Sequence, residues 1–171
     1  LATQNPVEHE GTYKLPEAQL DRFIFKINVD YPTLEEEIKI LDGVSSNRIS
    51  SNLEDVKKII SREELKAFRK QVTEIRAEAN LIRYIVQLVE NTRSNPDLYL
   101  GASPRASIGI LNASKALAAM RGRDFITPED IREVTYPVLA HRVVLTPERE
   151  MEGKTAETVI KEIIEQIEIP R

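Results

Sequence analysis

The chain has 171 residues, of which 41% are apolar and 30% charged, with a net charge of −4 at pH 7. That suits one ordinary domain, or a small domain with part of another attached, and is long enough to bury a core. It has no cysteine and two histidines, His9 and His141, which excludes disulfides, Cys-ligated zinc and thiol catalysis and leaves no metal site to expect. No apolar run approaches the roughly 18 to 20 residues that cross a bilayer, and the first residues lack the order of a signal peptide. The acidic balance gives no general pull toward nucleic acid. The expectation is a soluble cytoplasmic protein with no nucleic-acid partner and no stable membrane insertion.

In chain order, residues 2–23, ATQNPVEHEGTYKLPEAQLDRF, form a polar stretch broken by Asn5-Pro6 and Gly11, with the character of one edge of a larger site. Leu1-Ala2-Thr3 reads as the tail of a strand, and residues 23–29, rich in β-branched and aromatic side chains, read as a short strand. The character changes near Tyr31-Pro32, which divides the chain into 1–31 and 32–171. Beyond it helix-start signals recur. Thr33-x-x-Glu36 and Ser61-x-x-Glu64 fit the capping box. Ser103-Pro104 and Thr127-Pro128 each set an N-cap before a proline at the first helical position. Helices are predicted over 33–43, 61–74, 77–92, 103–121, 127–140 and 155–168. Their apolar stripes, Ile82, Ile85, Val86 and Val89, then Ala106, Ile110, Ala113, Leu117 and Met120, then Ile160, Ile163, Ile164 and Ile167, recur at three- and four-residue steps and predict a small helical bundle.

Gly153-Lys154-Thr155 invites comparison with a phosphate-binding loop. Glu148 stands where that loop needs its first glycine, no strand precedes it, and Glu150 and Glu152 would repel phosphate. Thr155 reads better as the N-cap of the last helix.

Three consecutive blocks carry a stronger signal: Ala2-Thr3-Gln4-Asn5-Pro6, then Glu8-x-x-Gly11-Thr12-Tyr13, then Leu15-Pro16-Glu17-Ala18-Gln19-Leu20-Asp21-Arg22-Phe23. A fourth, Gly101-Ala102-Ser103-Pro104-Arg105-Ala106-Ser107, lies far downstream. Together they closely resemble the MoxR branch of the AAA+ ATPases, and the likeness extends loosely through the helices between and after them. The resemblance implies a mainly α fold: a helical AAA+ lid bundle preceded by the last strands of a truncated α/β P-loop domain. On this reading 1–31 ends the nucleotide-binding domain and 32–171 supplies a connecting helix and the lid.

The resemblance also implies roles. Asn5 matches sensor 1, where a carboxamide hydrogen-bonds the γ-phosphate and the attacking water without adding charge; the local alternative is an Asx turn before Pro6. Arg22 matches the arginine finger, which enters the neighbouring subunit's site; the local alternative is an Asp21/Arg22 surface pair worth at most about 1 kcal/mol. Arg105 matches sensor 2, in the first turn of a helix whose positive end is unfavourable for arginine unless it faces phosphate. Whether it reads its own subunit's nucleotide or the neighbour's stays open. The parent implied is a ring, commonly a hexamer, that uses ATP and Mg²⁺ to remodel or mature partner proteins in a chaperone-like way. Its usual partners resemble von Willebrand A-type proteins. The phosphate loop and the acidic pair for magnesium are absent from these residues, so no tight nucleotide binding and no hydrolysis is expected of the 171 residues alone. The alternative from another class is a self-contained helical module that binds a protein partner. A DNA-handling motor lacks the clustered cations and aromatics it would need.

Overall fold

The computed structural model describes residues 1–3, 15–46 and 56–170. The chain divides into two compact units, one formed by Leu1–Lys26 with Ile75–Arg171 and the other by Ile27–Glu74.

The first unit contains a short helix α1 (Glu17–Leu20). The second contains α2 (Leu34–Ser45) and α3 (Arg62–Glu74). The first then continues with α4 (Ala79–Ser94), β1 (Leu98–Leu100), α5 (Pro104–Met120), α6 (Pro128–Leu139), β2 (Val144–Leu145), α7 (Pro147–Met151) and α8 (Ala156–Gln166). The six helices predicted from caps and periodicity are all present, each within about two residues of the expected ends. Two short helices and a two-stranded antiparallel ladder, in which Leu98 faces Leu145 and Leu100 faces Val144 across a bulge, were not predicted.

The strands expected at Leu1–Thr3 and over 23–29 do not form among the described residues. The physical reason is visible at the second: the carbonyls of Asp21, Phe23 and Ile24 accept hydrogen bonds from side chains of the bundle, and the Lys26 N–H donates to the carbonyl of Pro137. Backbone groups so occupied cannot also join a ladder.

In the large unit α4, α5, α6 and α8 enclose one apolar core. Tyr84, Leu88, Ile110, Ile131, Ile160 and Ile163 are all at most 1% exposed. Gly109 lets α5 and α6 approach closely: a Cβ there would stand 3.2 Å from Val138 Cγ1. The buried stripe of α4 differs from the expected one. Ile85 and Val89 are buried, but Ile82 and Val86 are 44% and 49% exposed, and the rest of the face is Leu81, Tyr84, Leu88 and Thr92. Met120 is likewise exposed at the end of α5. The buried hydroxyls of Thr92, Ser114 and Thr135 are satisfied within their own helices, donating to Val89 O, Ile110 O and Ile131 O, whereas the buried Tyr84 hydroxyl has no partner among the described residues.

The link from α5 to α6 is held by Asp130. Its carboxylate, inaccessible to solvent, accepts from Arg121, Arg123 and the Thr127 N–H, while the Thr127 hydroxyl accepts from the Asp130 N–H to complete a capping box. Burial alone would raise this carboxyl, but Arg123, the Thr127 amide and Arg121 outweigh it and hold it below the usual carboxylate range.

The smaller unit behaves differently. The Thr33/Glu36 and Ser61/Glu64 boxes form as predicted, yet neither α2 nor α3 buries a residue. Leu34, Ile38 and Leu41 on α2, and Leu65 and Phe68 on α3, stand at helical spacing and remain exposed.

Candidate functional site

The site is built where the segment around α1 meets the start of α5 and the end of α6. The start of α5 is positioned from α4. Gly101 lies so close to it that a Cβ would fall 2.6 Å from both Thr92 O and Arg93 Cα. The next residue is pinned at both ends of its peptide, Ala102 N–H donating to Thr92 Oγ1 at 2.9 Å and Ala102 O accepting from Arg93 Nε at 2.8 Å. Ser103 then caps the helix, its hydroxyl oxygen accepting from the Arg105 N–H at 3.2 Å, with Pro104 at the first helical position.

Asp21, which ends α1, is the hub. Its carboxylate accepts from Ser103 Oγ at 2.9 and 3.1 Å, from Arg142 Nε at 3.0 Å and from Arg105 Nη1 at 3.4 Å. Burial acts to raise the Asp21 carboxyl, but the Ser103 hydroxyl and the Arg142 and Arg105 guanidiniums prevail and hold it below the ordinary range. One carboxylate thus faces two guanidiniums. Arg142, whose side chain is only 3% exposed, supplies the close partner, and Arg105, 57% exposed, keeps a face toward solvent.

Arg142 also donates Nη2–H to the carbonyls of Asp21 and Phe23 and Nη1–H to those of Ile24 and Val138. All five of its N–H groups therefore have acceptors. Beside it His141 Nε2 lies 2.9 Å from Phe23 O. A carbonyl can only accept, so Nε2 carries the proton, and Nδ1 is left bare, buried and without a partner. Burial holds this imidazole below its usual pKa, although the bond to Phe23 opposes the shift.

Arg22 lies between two anchored residues, and its own side chain is exposed. It lines a shallow depression with Gln19 and Phe23, and no side-chain bond is formed by it among the described residues. Chemically, Arg105 keeps an exposed guanidinium beside a carboxylate whose charge Arg142 already balances, and Arg22, next in the chain to that carboxylate, carries a second exposed one. Each is suited to an anionic group.

Residues 90–163 match the family model described as the AAA lid domain, and residues 1–25 match that of the ATPase family associated with various cellular activities, AAA. The chain is 40% identical over 180 residues to Chaperone MoxR1 of Mycobacterium tuberculosis, covering 100% of this chain and 46% of that protein. The chain belongs to the MoxR-type AAA+ ATPase family. It is 42% identical over 170 residues to the protein YeaC of Bacillus subtilis, covering 99% of this chain and 52% of that one. A crystal structure of a candidate ATPase from Cytophaga hutchinsonii superposes with a TM-score of 0.87 at 37% identity, over 98% of this chain and 53% of that chain. The chain thus spans about half the length of the relatives it matches.

In this MoxR-type chain the described structure brings Arg105 to the side of Asp21, next in sequence to Arg22, while Asn5 lies outside the described residues. Lys154 of the Gly-Lys-Thr decoy is occupied, bonded to Asp97 at 2.7 Å and Glu162 at 2.8 Å, and Thr155 caps α8. Sequence reasoning missed Asp21 as the hub and Arg142 altogether. The available signal was Arg142 inside Val138-Leu139-Ala140-His141-Arg142-Val143-Val144-Leu145: an arginine amid apolar neighbours is either exposed by a turn or buried with full pairing.

Proposed function

We propose that this chain forms the lid and the arginine-bearing edge of a ring ATPase, in which ATP hydrolysis drives chaperone-like remodelling or maturation of partner proteins in the cytoplasm. The observation that carries the reading is Asp21 joining the segment of Arg22 to the helix start of Arg105, in a chain with MoxR-type sequence.

Phosphoryl transfer is catalysed chiefly by positioning and by stabilising charge on the transferring group. Arg22, exposed and unpaired among the described residues, acts on the γ-phosphate bound by a neighbouring subunit of the ring. Arg105 contacts the phosphates from the lid, exchanging its long contact with Asp21 for a phosphate oxygen. Loss of the nucleotide returns it to Asp21, so the lid senses nucleotide state. Asn5, at sensor 1, orients the attacking water. Among the described residues no group of three His, Asp or Glu side chains converges on one point, and no step is assigned to Mg²⁺. The partner is a von Willebrand A-type protein, by analogy with the family. Among the described residues no helix is long and apolar enough to cross a membrane.

The test is ATP hydrolysis by the natural full-length gene product, compared with Arg22→Ala and Asn5→Ala. Turnover should fall by on the order of 10³-fold for Arg22→Ala, the lower end for arginine fingers, with nucleotide binding retained in both variants. Unchanged turnover in both would remove the assignment.

A second reading, a helical protein-interaction module, is favoured by the exposed stripes of α2 and α3. The mass of the natural gene product decides between the two: a product of 19.5 kDa would favour the module.

A further inference from the structure

We propose that Arg142 is a positioning residue for Arg22, fixing the backbone on both sides of it from the buried turn that follows α6. The proposal rests on the reading of Arg22 as an arginine finger. A finger that reaches into another subunit must be presented in a fixed geometry, because misplacement by about 1 Å can cost on the order of 10²-fold in rate. Nothing within its own segment supplies that rigidity. α1 has four residues, and the local backbone bonds at the turn are Arg22 N–H to Gln19 O at 3.1 Å and Phe23 N–H to Leu20 O at 3.0 Å. A single helical turn is unstable alone.

The guanidinium of Arg142 meets this need. Nη2 bonds the carbonyl before Arg22, that of Asp21, and the carbonyl after it, that of Phe23. Nε takes Asp21 Oδ1, and Nη1 takes Ile24 O. Four of its five bonds end on residues 21–24 and one on Val138, in the last turn of α6. A planar group with five donors in fixed directions sets all four acceptors relative to one another, which an ammonium, with donors at one point, cannot do. Had the residue served only to hold the bundle together, its donors would end on the bundle. Instead they leave it for the segment that presents Arg22. His141 adds a second bond to Phe23 O, and Lys26 N–H seals the segment onto Pro137 O.

The experiment measures kcat and KM for ATP in the natural full-length protein, in the wild type, Arg22→Ala, Arg142→Lys and the double variant Arg22→Ala/Arg142→Lys. Arg22→Ala comes first. If it keeps full turnover, the finger reading falls and this proposal with it. If it loses turnover, Arg142→Lys should lower kcat at least about tenfold with KM changed less than about twofold, and should add no further loss in the Arg22→Ala background, because its effect passes through Arg22. Full kcat in Arg142→Lys overturns the proposal while leaving the finger intact. So does an equal further loss in the Arg22→Ala background, or a fall in kcat matched by a rise in KM, since either marks general damage to the lid. Should Arg142→Lys fail to melt cooperatively, Asp21→Asn/Arg142→Gln replaces it. That pair removes both charges and leaves no unpaired buried ion. A cooperative melt with wild-type turnover in that pair is also an overturning result, and a cooperative melt with reduced kcat is the expected one.

Discussion

Gly101 shows how little room the junction leaves. A methyl group there meets backbone atoms of Thr92 and Arg93 at 2.6 Å, and backbone cannot swing aside as a long side chain can. Gly101→Ala should therefore destabilise the large unit by about 1–3 kcal/mol, the usual range for an added group in a packed site, read as a lower denaturant midpoint at unchanged slope. His141 gives a prediction in pH. Its folded pKa is depressed by burial, and Arg142 and Lys26 disfavour its charge further, while Asp21 and the Phe23 carbonyl oppose them. The unfolded chain therefore binds the proton first as pH falls. Stability is fully present above the unfolded value of about 6.5 and declines as pH drops from there through the lower folded value. Urea midpoints at pH 7.5 and 5.5 should differ, and the difference should shrink in His141→Gln. Of the candidate site, Arg22 and Arg105 could be singled out because their blocks match a family, and the roles given to them remain proposals. Asp21 and Arg142 were not: a hub is defined by partners some 80 to 120 residues apart, and no local pattern encodes that.

At the level of elements, five of the six long helices were legible because local chemistry announces each: a hydroxyl that caps, a carboxylate three residues on, or a proline at the first position; α4, whose N-cap Glu78 makes no side-chain cap bond, was legible from its apolar spacing alone. The β1/β2 ladder, three residues against two, is too short to show a period. Residues 23–29 failed as a strand because β propensity speaks only of what fits a pleated surface, and here the acceptors were taken by arginine and histidine. α4 exposes a subtler error. Several apolar side chains ring this helix, and spacing alone does not say which of two overlapping stripes faces inward. Paired substitutions separate them. Ile85→Ala, at a residue 2% exposed, should cost about 2–5 kcal/mol, whereas Ile82→Ala, 44% exposed, should stay within about 0.5 kcal/mol. Chemical denaturation of the two variants checks both values.

Across the whole molecule, stability is unevenly shared. The large unit owns every buried residue among those described, while α2 and α3 own none. Isolated helices of about 12 residues are marginal in water, so hydrogen exchange should find α2 and α3 amides exchanging through low-energy local opening. Amides of α4, α5, α6 and α8 should approach the protection set by global unfolding. Equal protection in both groups would show that the exposed stripes are covered in solution. The bonds between Arg142 and residues 21–24 reach across 118 to 121 positions of chain. During synthesis the segment that carries Arg22 leaves the ribosome long before its anchor exists. At roughly 5–20 residues per second it waits on the order of ten seconds. Throughout that interval the backbone on either side of Arg22 lacks its anchor, so the shape of this edge of the fold is settled only after residue 142 has emerged.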